Sequence, residues 1–321
     1  IVDRQNRSGN GTSPDGNKVK RMSESKENGN PDRYTAAITR SAPSAFVFLL
    51  DRSASMEDRL VFGEEKTTKA RAVAFLLNGM LEELVARCRR EEGYRNCFDV
   101  AVIGYGGRGV ASLLPEAPSD PFFRKPDELA GAPVGTERRF RERVLPDGRT
   151  VTTVTETRRW IEPAAEGVTP MHAALKETHG LLRRWIGRHA GLPCFPPVVI
   201  HITDGEATDA GEEELSLAAA RIRGLATENG NVLLLNVCLA RDGEERPGIL
   251  FPASEAELPE NPRARLLFRM SSPLPGIYAD AVAGLTGRPG GTEYRGMGYN
   301  TSVMGLIGLL NIGTASLSLV E

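Results

Sequence analysis

The sequence predicts a doubly wound α/β fold: a mostly parallel central sheet flanked by helices, with an inserted β-hairpin. Three observations carry this expectation. Four apolar runs of strand length, at 45–50, 98–107, 197–205 and 231–240, lack the clean alternation of a half-exposed strand, so they belong to a sheet covered on both faces. Segments of helical periodicity lie between them. The resulting order, strand and helix in alternation, is that of parallel strands joined by crossover helices.

The elements follow in turn. "AFVFLL", 45–50, is the first strand. Residues 67–91 place Val73, Leu77, Met80, Leu81, Leu84 and Cys88 at helical spacing, and Thr67 or Thr68 is a suitable cap. "FDVAVIGYGG", 98–107, is a second strand ending in glycines. Pro115, Pro118, Pro121, Pro126 and Pro133 exclude long regular elements from 111–135. Residues 138–160 read as a hairpin around Pro146-Asp147-Gly148. A helix starts near Pro170, where proline is tolerated, and runs to about His189. The strand 197–205 ends on Asp204-Gly205, a helix covers 211–228, and an apolar strand covers 231–240. Further helices are expected at 253–270, 277–285 and 301–312.

Residues 1–43 are expected to form a disordered tail, since the first 33 carry only Ile1, Val2, Val19 and Met22 as sizeable apolar groups. The chain opens on Ile1, which reads as a fragment or a processed form, with Met22 a candidate initiator. One domain then spans 44–321, elaborated by an insertion at 111–160 and a helical C-terminal extension at 241–321. Lys and Arg total 40 against 42 Asp and Glu, a balance that does not point to nucleic acid or membrane. Cys88, Cys97, Cys194 and Cys238 form no C-x-x-C pair, as expected of reduced thiols in the cytoplasm. No apolar run approaches the ~18 residues of a membrane helix.

The chemistry-bearing residues fall at strand ends. Asp51-x-Ser53-x-Ser55 follows the first strand, Gly167-Val168-Thr169-Pro170-Met171 opens the middle helix, and Thr203-Asp204-Gly205 closes a later strand. Parallel sheets bind ligands beyond the carboxyl ends of their strands, where such loops meet. The three pieces, in this order, resemble the metal-ion-dependent adhesion site of von Willebrand factor A (VWA) domains of the intracellular microbial type, over roughly residues 45–240. The resemblance implies a Mg²⁺ (or Mn²⁺) site in which Ser53, Ser55 and Thr169 are direct hydroxyl ligands. Asp51 and Asp204 then act mostly through bound water. Mg²⁺ favours octahedral oxygen coordination and retains water, so such a site keeps a position for an acidic side chain of a protein partner. The implied function is recognition rather than catalysis, and proteins of this kind often work beside an ATPase, kinase or phosphatase.

Competing readings are weaker. Gly104-x-Gly106-x-x-Gly109 matches the dinucleotide fingerprint in form, but a proline-broken segment follows it instead of a helix. Instead, the glycines are expected to turn tightly beside the metal site. His172, His179, His189 and His201 have no zinc-like spacing. The hairpin 137–159 holds seven Arg against four acids, a solvated face or a contact for an acidic partner. A haloacid-dehalogenase-like phosphatase would use Asp51 as nucleophile, but the acid that family needs two residues on is replaced by Ser53. A scaffold that uses no metal is the third reading.

Overall fold

The computed structural model describes residues 33–62, 65–117, 119–144, 150–239, 248–288 and 293–300; the side chains of 62, 65, 138–144 and 150–155 are outside that description. A seven-stranded sheet forms the centre. Its strands are β1 (Ser44–Asp51), β2 (Phe98–Gly106), β3 (Gly109–Ser112), β6 (Val198–Thr203), β7 (Leu233–Cys238), β8 (Ile249–Leu250) and β9 (Met297–Tyr299). The inserted hairpin pairs β4 (Gly135–Val144) with β5 (Thr150–Arg159). Helices are α1 (Lys69–Cys88), α2 (Pro126–Gly131), α3 (Met171–Arg188), α4 (Glu212–Arg223), α5 (Pro262–Met270) and α6 (Ala279–Thr286).

The sheet order is β8-β9-β7-β6-β1-β2-β3. Strands β2, β1, β6, β7 and β9 run parallel, and β3 and β8 are antiparallel edges. All eight residues of β1 are buried, as its unbroken apolar run requires. Period-2 geometry divides them between two layers. Phe46, Phe48 and Leu50 pack with Val73, Leu77 and Leu81 of α1, whereas Val47 and Leu49 pack with Leu175 and Leu182 of α3 and Leu215 of α4. The chain crosses from β1 to β2 through α1 on one face, then returns through α3 on the other to β6, which lies on β1's opposite side. The strand order therefore reverses between β1 and β6. Their carboxyl ends flank the crevice where α/β sheets bind ligands.

Several expectations are refined. Thr68 caps α1 by accepting from the Arg71 amide at 3.3 Å. The predicted tail is too long: from residue 33 the chain packs on the domain, with Ile38 fully buried and the Tyr34 amide donating to Asn229 O at 2.7 Å. The apolar groups of Ile38 and Tyr34 supply the contact surface for this packing; residues 1–32 lie outside the description. The C-terminal extension is helical only in part, because β8 and β9 extend the sheet beyond β7. The helix expected at 301–312 lies outside the described residues.

The insertion is tied down at its base. Arg124, buried among the prolines, donates to the carbonyls of Pro115 at 2.6 Å, Asp120 at 2.6 Å and Phe123 at 2.7 Å. Arg158 on β5 grips Glu82 of α1 through Nε at 3.0 Å and a terminal nitrogen at 2.7 Å. Asn78 of α1 accepts from the amides of Trp160 at 2.8 Å and Ile161 at 2.9 Å. These bonds fix where the chain leaves the hairpin and starts toward Thr169.

Candidate metal centre

Three loops converge at the carboxyl ends of β1 and β6. In the first, Asp51 Oδ1 accepts the Ser53 amide at 2.9 Å, an Asx-type turn that follows from an acid two residues before a small one. Ser53 Oγ and Ser55 Oγ then lie 3.1 Å apart. Asp51 and Ser53 are buried, and Ser55 is half-buried. From β6, Thr203 Oγ1 donates to Asp51 Oδ2 at 2.7 Å and accepts the Gly205 amide at 2.9 Å. One threonine therefore locks the acid of the first loop to the turn carrying Asp204.

The Thr169 loop is stitched to both others. Glu166 N donates to Arg52 O at 2.7 Å, Gly107 N to Glu166 O at 2.7 Å, and Ala54 N to Gly167 O at 3.0 Å. Gly167 has φ +67°, and a Cβ on it would lie 2.5 Å from Gly107 Cα. Both facts demand glycine. On the other side, Thr169 O accepts Thr208 N at 3.0 Å, and Thr169 N donates to Thr208 Oγ1 at 3.0 Å. Asp209 accepts the amides of His172 and Ala173 at 3.0 and 2.9 Å at the start of α3, where the helix dipole favours an anion. Thr169 itself is buried.

The electrostatics are those of an acid-rich crevice. Burial, chiefly, pushes the Asp51 carboxyl above its usual range against its hydrogen bonds from Ser53 and Thr203, and the charge of Asp204 adds to the rise. Asp204 is buried, and its Oδ1 has no hydrogen-bond partner. Its Oδ2 meets Lys69 Nζ at 3.5 Å. Lys69 is fully buried and also reaches Asp58 Oδ2 at 3.2 Å. This internal ammonium was missed by sequence reasoning; a lysine as the first residue of a helix reads as solvated unless the Asp58 turn is known to fold over it.

A polar chain runs beneath the crevice. Tyr105 OH lies 2.6 Å from His201 Nε2, and His201 Nδ1 lies 2.8 Å from Asn236 Oδ1. Because Asn236 Oδ1 only accepts, His201 donates from Nδ1 and accepts the tyrosine proton at Nε2. Burial lowers the His201 pKa to about 4, so the ring is neutral. Burial, with Asp51 nearby, raises the Tyr105 hydroxyl well above its usual range. Asn236 continues the chain to Ser271 Oγ at 2.9 Å. His201 is thus a packing residue with satisfied nitrogens.

The donor set fits a hard divalent cation. Hydroxyl and carboxylate oxygens meet there, and the buried Oδ1 of Asp204 is left without a partner, a costly condition that a cation removes. Among the described residues no group of three or more His, Cys, Asp or Glu could hold a metal. A cation here would therefore depend on the serine and threonine hydroxyls.

No protein-family model and no curated protein matches the chain. Among solved structures, a von Willebrand factor type A protein from Catenulispora acidiphila aligns at 15% identity and TM-score 0.34, over 62% of this chain and 34% of that one. The conserved hypothetical protein BatB from Bacteroides thetaiotaomicron aligns at 16% and 0.30, over 61% and 66%. An aerotolerance-related membrane protein from Bacteroides fragilis aligns at 15% and 0.28, over 63% and 75%. This chain thus spans less than two thirds of the first two. At such identities and scores the likenesses add nothing to the geometry. Among the described residues no helix is long and apolar enough to cross a membrane. The parallel sheet, its strand-order reversal between β1 and β6, and the three motif loops gathered there make this a doubly wound α/β fold, the architecture that the VWA resemblance of the motifs implies.

Proposed function

We propose that the chain is a divalent-metal-dependent protein-interaction module that recognises an acidic side chain of a partner. The observation that carries this reading is the buried, unpartnered Oδ1 of Asp204 at a crevice shared with a second buried acid, Asp51. Ser53, Ser55 and Thr169 would hold Mg²⁺ or Mn²⁺ through hydroxyls, with Asp51 and Asp204 supplying negative charge. When bound, the cation supplies an electrophilic position for an oxygen anion. The chain's own part is to fix the donors. Thr203 orients Asp51, the Asx turn presents the two serines, and the Gly107–Gly167 approach sets the height of the Thr169 loop.

The proposed role is non-enzymatic and cytoplasmic. Both oxygens of Asp51 are engaged by Ser53 and Thr203, a poor arrangement for an attacking carboxylate. All four cysteines are free and buried, which suits a reducing compartment. The reading is tested with the peptide acetyl-Gly-Glu-Gly-amide. Saturable binding with Mg²⁺ and none in metal-free buffer supports it, whereas metal-independent binding points to a scaffold. Turnover of an aryl phosphate that disappears in Asp51→Asn would replace it with the phosphatase.

A further inference from the structure

We propose that the cavity beside the metal centre takes a second carboxylate of the same acidic partner, received by Arg52. This inference deepens the reading above and rests on it for the nature of the partner. The cavity is about 340 Å³ and is bounded by Arg52, Tyr105, Gly107, Arg108, Leu113 and Glu166. That is the small end of ligand sites, suited to a side chain rather than a large molecule.

Its shape depends on the glycine run. A Cβ on Gly104 would lie 2.8 Å from Arg52 Cδ, and one on Gly106 would lie 2.7 Å from Arg52 O. The Arg52 backbone and side chain therefore lie against β2 only because those positions carry no side chain. The glycines that imitate a dinucleotide fingerprint are the seat of an arginine.

Charge then selects the occupant. Arg108 Nε pairs with Glu166 at 3.3 Å. Arg52 is half-buried, and its guanidinium makes no hydrogen bond or ion pair among the described residues. The cavity lining carries two arginines against one glutamate, a net charge of +1, which one carboxylate neutralises. Guanidinium presents a planar pair of donors that matches a carboxylate. The two subsites are also close in the chain. Arg52 follows Asp51 directly, its amide donates to Tyr105 O at 2.8 Å, and its carbonyl accepts Glu166 N at 2.7 Å. A short acidic segment can engage both.

The test is calorimetry with acetylated, amidated glycine peptides in Mg²⁺ buffer. One peptide carries a single glutamate; the others carry two, separated by none to three glycines. In the wild type, the best doubly acidic peptide should bind about tenfold tighter than the single one, the scale of one charge-assisted contact. That ratio should fall to near one in Arg52→Gln and recover in large part in Arg52→Lys, with thermal melts confirming that both variants fold. A ratio near one across the wild-type series, or an unaltered ratio in Arg52→Gln, overturns the proposal. Failure of the metal reading has a different signature: Mg²⁺ titrated alone gives no heat, and single-glutamate binding ignores metal. The Arg52 Nε–H resonance, followed in metal-free buffer during addition of acetate, then decides the cavity by itself. A saturable shift supports it, and an unmoved resonance overturns it.

Discussion

Replacing Lys69 by methionine removes the one positive charge that the described structure places on Asp204. The ammonium and its partner are both buried, with side-chain exposures of 0% and 2%, at 3.5 Å. At an effective dielectric constant of about 20, that separation corresponds to an attraction of about 5 kcal/mol. The contact to Asp58, whose side chain is 49% exposed, is discounted for screening. Methionine keeps the packing of the aliphatic stem, so the loss is that of stranding a buried carboxylate, about 3–5 kcal/mol. For a chain of this size the melting temperature in metal-free buffer should fall by on the order of 10 °C. Mg²⁺ should then restore more stability to Lys69→Met than it adds to the wild type. At a hundredfold excess over its dissociation constant a ligand contributes about 2.7 kcal/mol, so rescue is measurable by circular dichroism. A metal-free melt of Lys69→Met that superimposes on the wild type would refute the argument that this ammonium compensates Asp204.

Three further outcomes follow from other parts of the structure. Gly167→Ala should destabilise by about 2 kcal/mol or more, combining left-handed backbone strain with displacement of Gly107; calorimetry should also find metal uptake weakened, because the Thr169 loop must move. Glu82→Gln should cost about 1–2 kcal/mol in denaturant unfolding at neutral pH. The Arg158 bonds hold the Glu82 pKa below its usual value, so this stabilisation is present above the unfolded pKa and fades as pH falls through the folded one; the mutant and wild-type stabilities should converge in acid. His201, with its pKa lowered to about 4 by burial, takes up protons more readily when unfolded. Its contribution is full above about 6.5 and declines by roughly 3 kcal/mol as pH falls to about 4, so the pH–stability curve of His201→Gln should be flatter across that window.

The sheet was legible because its strands are covered on both faces. β1, β2, β6 and β7 each appear as an apolar run, and the crossover helices carry the 3.6-residue period. The expected helix at 211–228 ends early, at Arg223, because residues 226–231 form a tight hairpin too short for any periodicity to register. The edge strand β8 and its neighbour β9 were not legible. Two or three residues each, they are strands only through pairing with β7 and each other, a tertiary effect.

The motif residues were readable because each sits beside a strand end, and strand ends of a parallel sheet share one rim. Their supports were not readable. Thr203 and Asp58 are ordinary residues in the chain, and only register places the Thr203 hydroxyl against Asp51. The same is true of Lys69 and of Arg52, whose seat on Gly104 exists only once β1 and β2 are paired. The arginine-rich middle of the hairpin, expected as a solvated face or a contact for an acidic partner, lies outside the described side chains.

Ser53 and Ser55, with Asp204, are proposed to hold a divalent cation. Calorimetric titration of Mg²⁺, and separately of Mn²⁺, into the wild type and into Ser53→Ala/Ser55→Ala tests it most directly, with the millimolar range included to reach a weak site. A single saturable site is expected in the wild type and none in the double variant, at matched melting temperature. Equal binding by both proteins, or no heat from either, would contradict it.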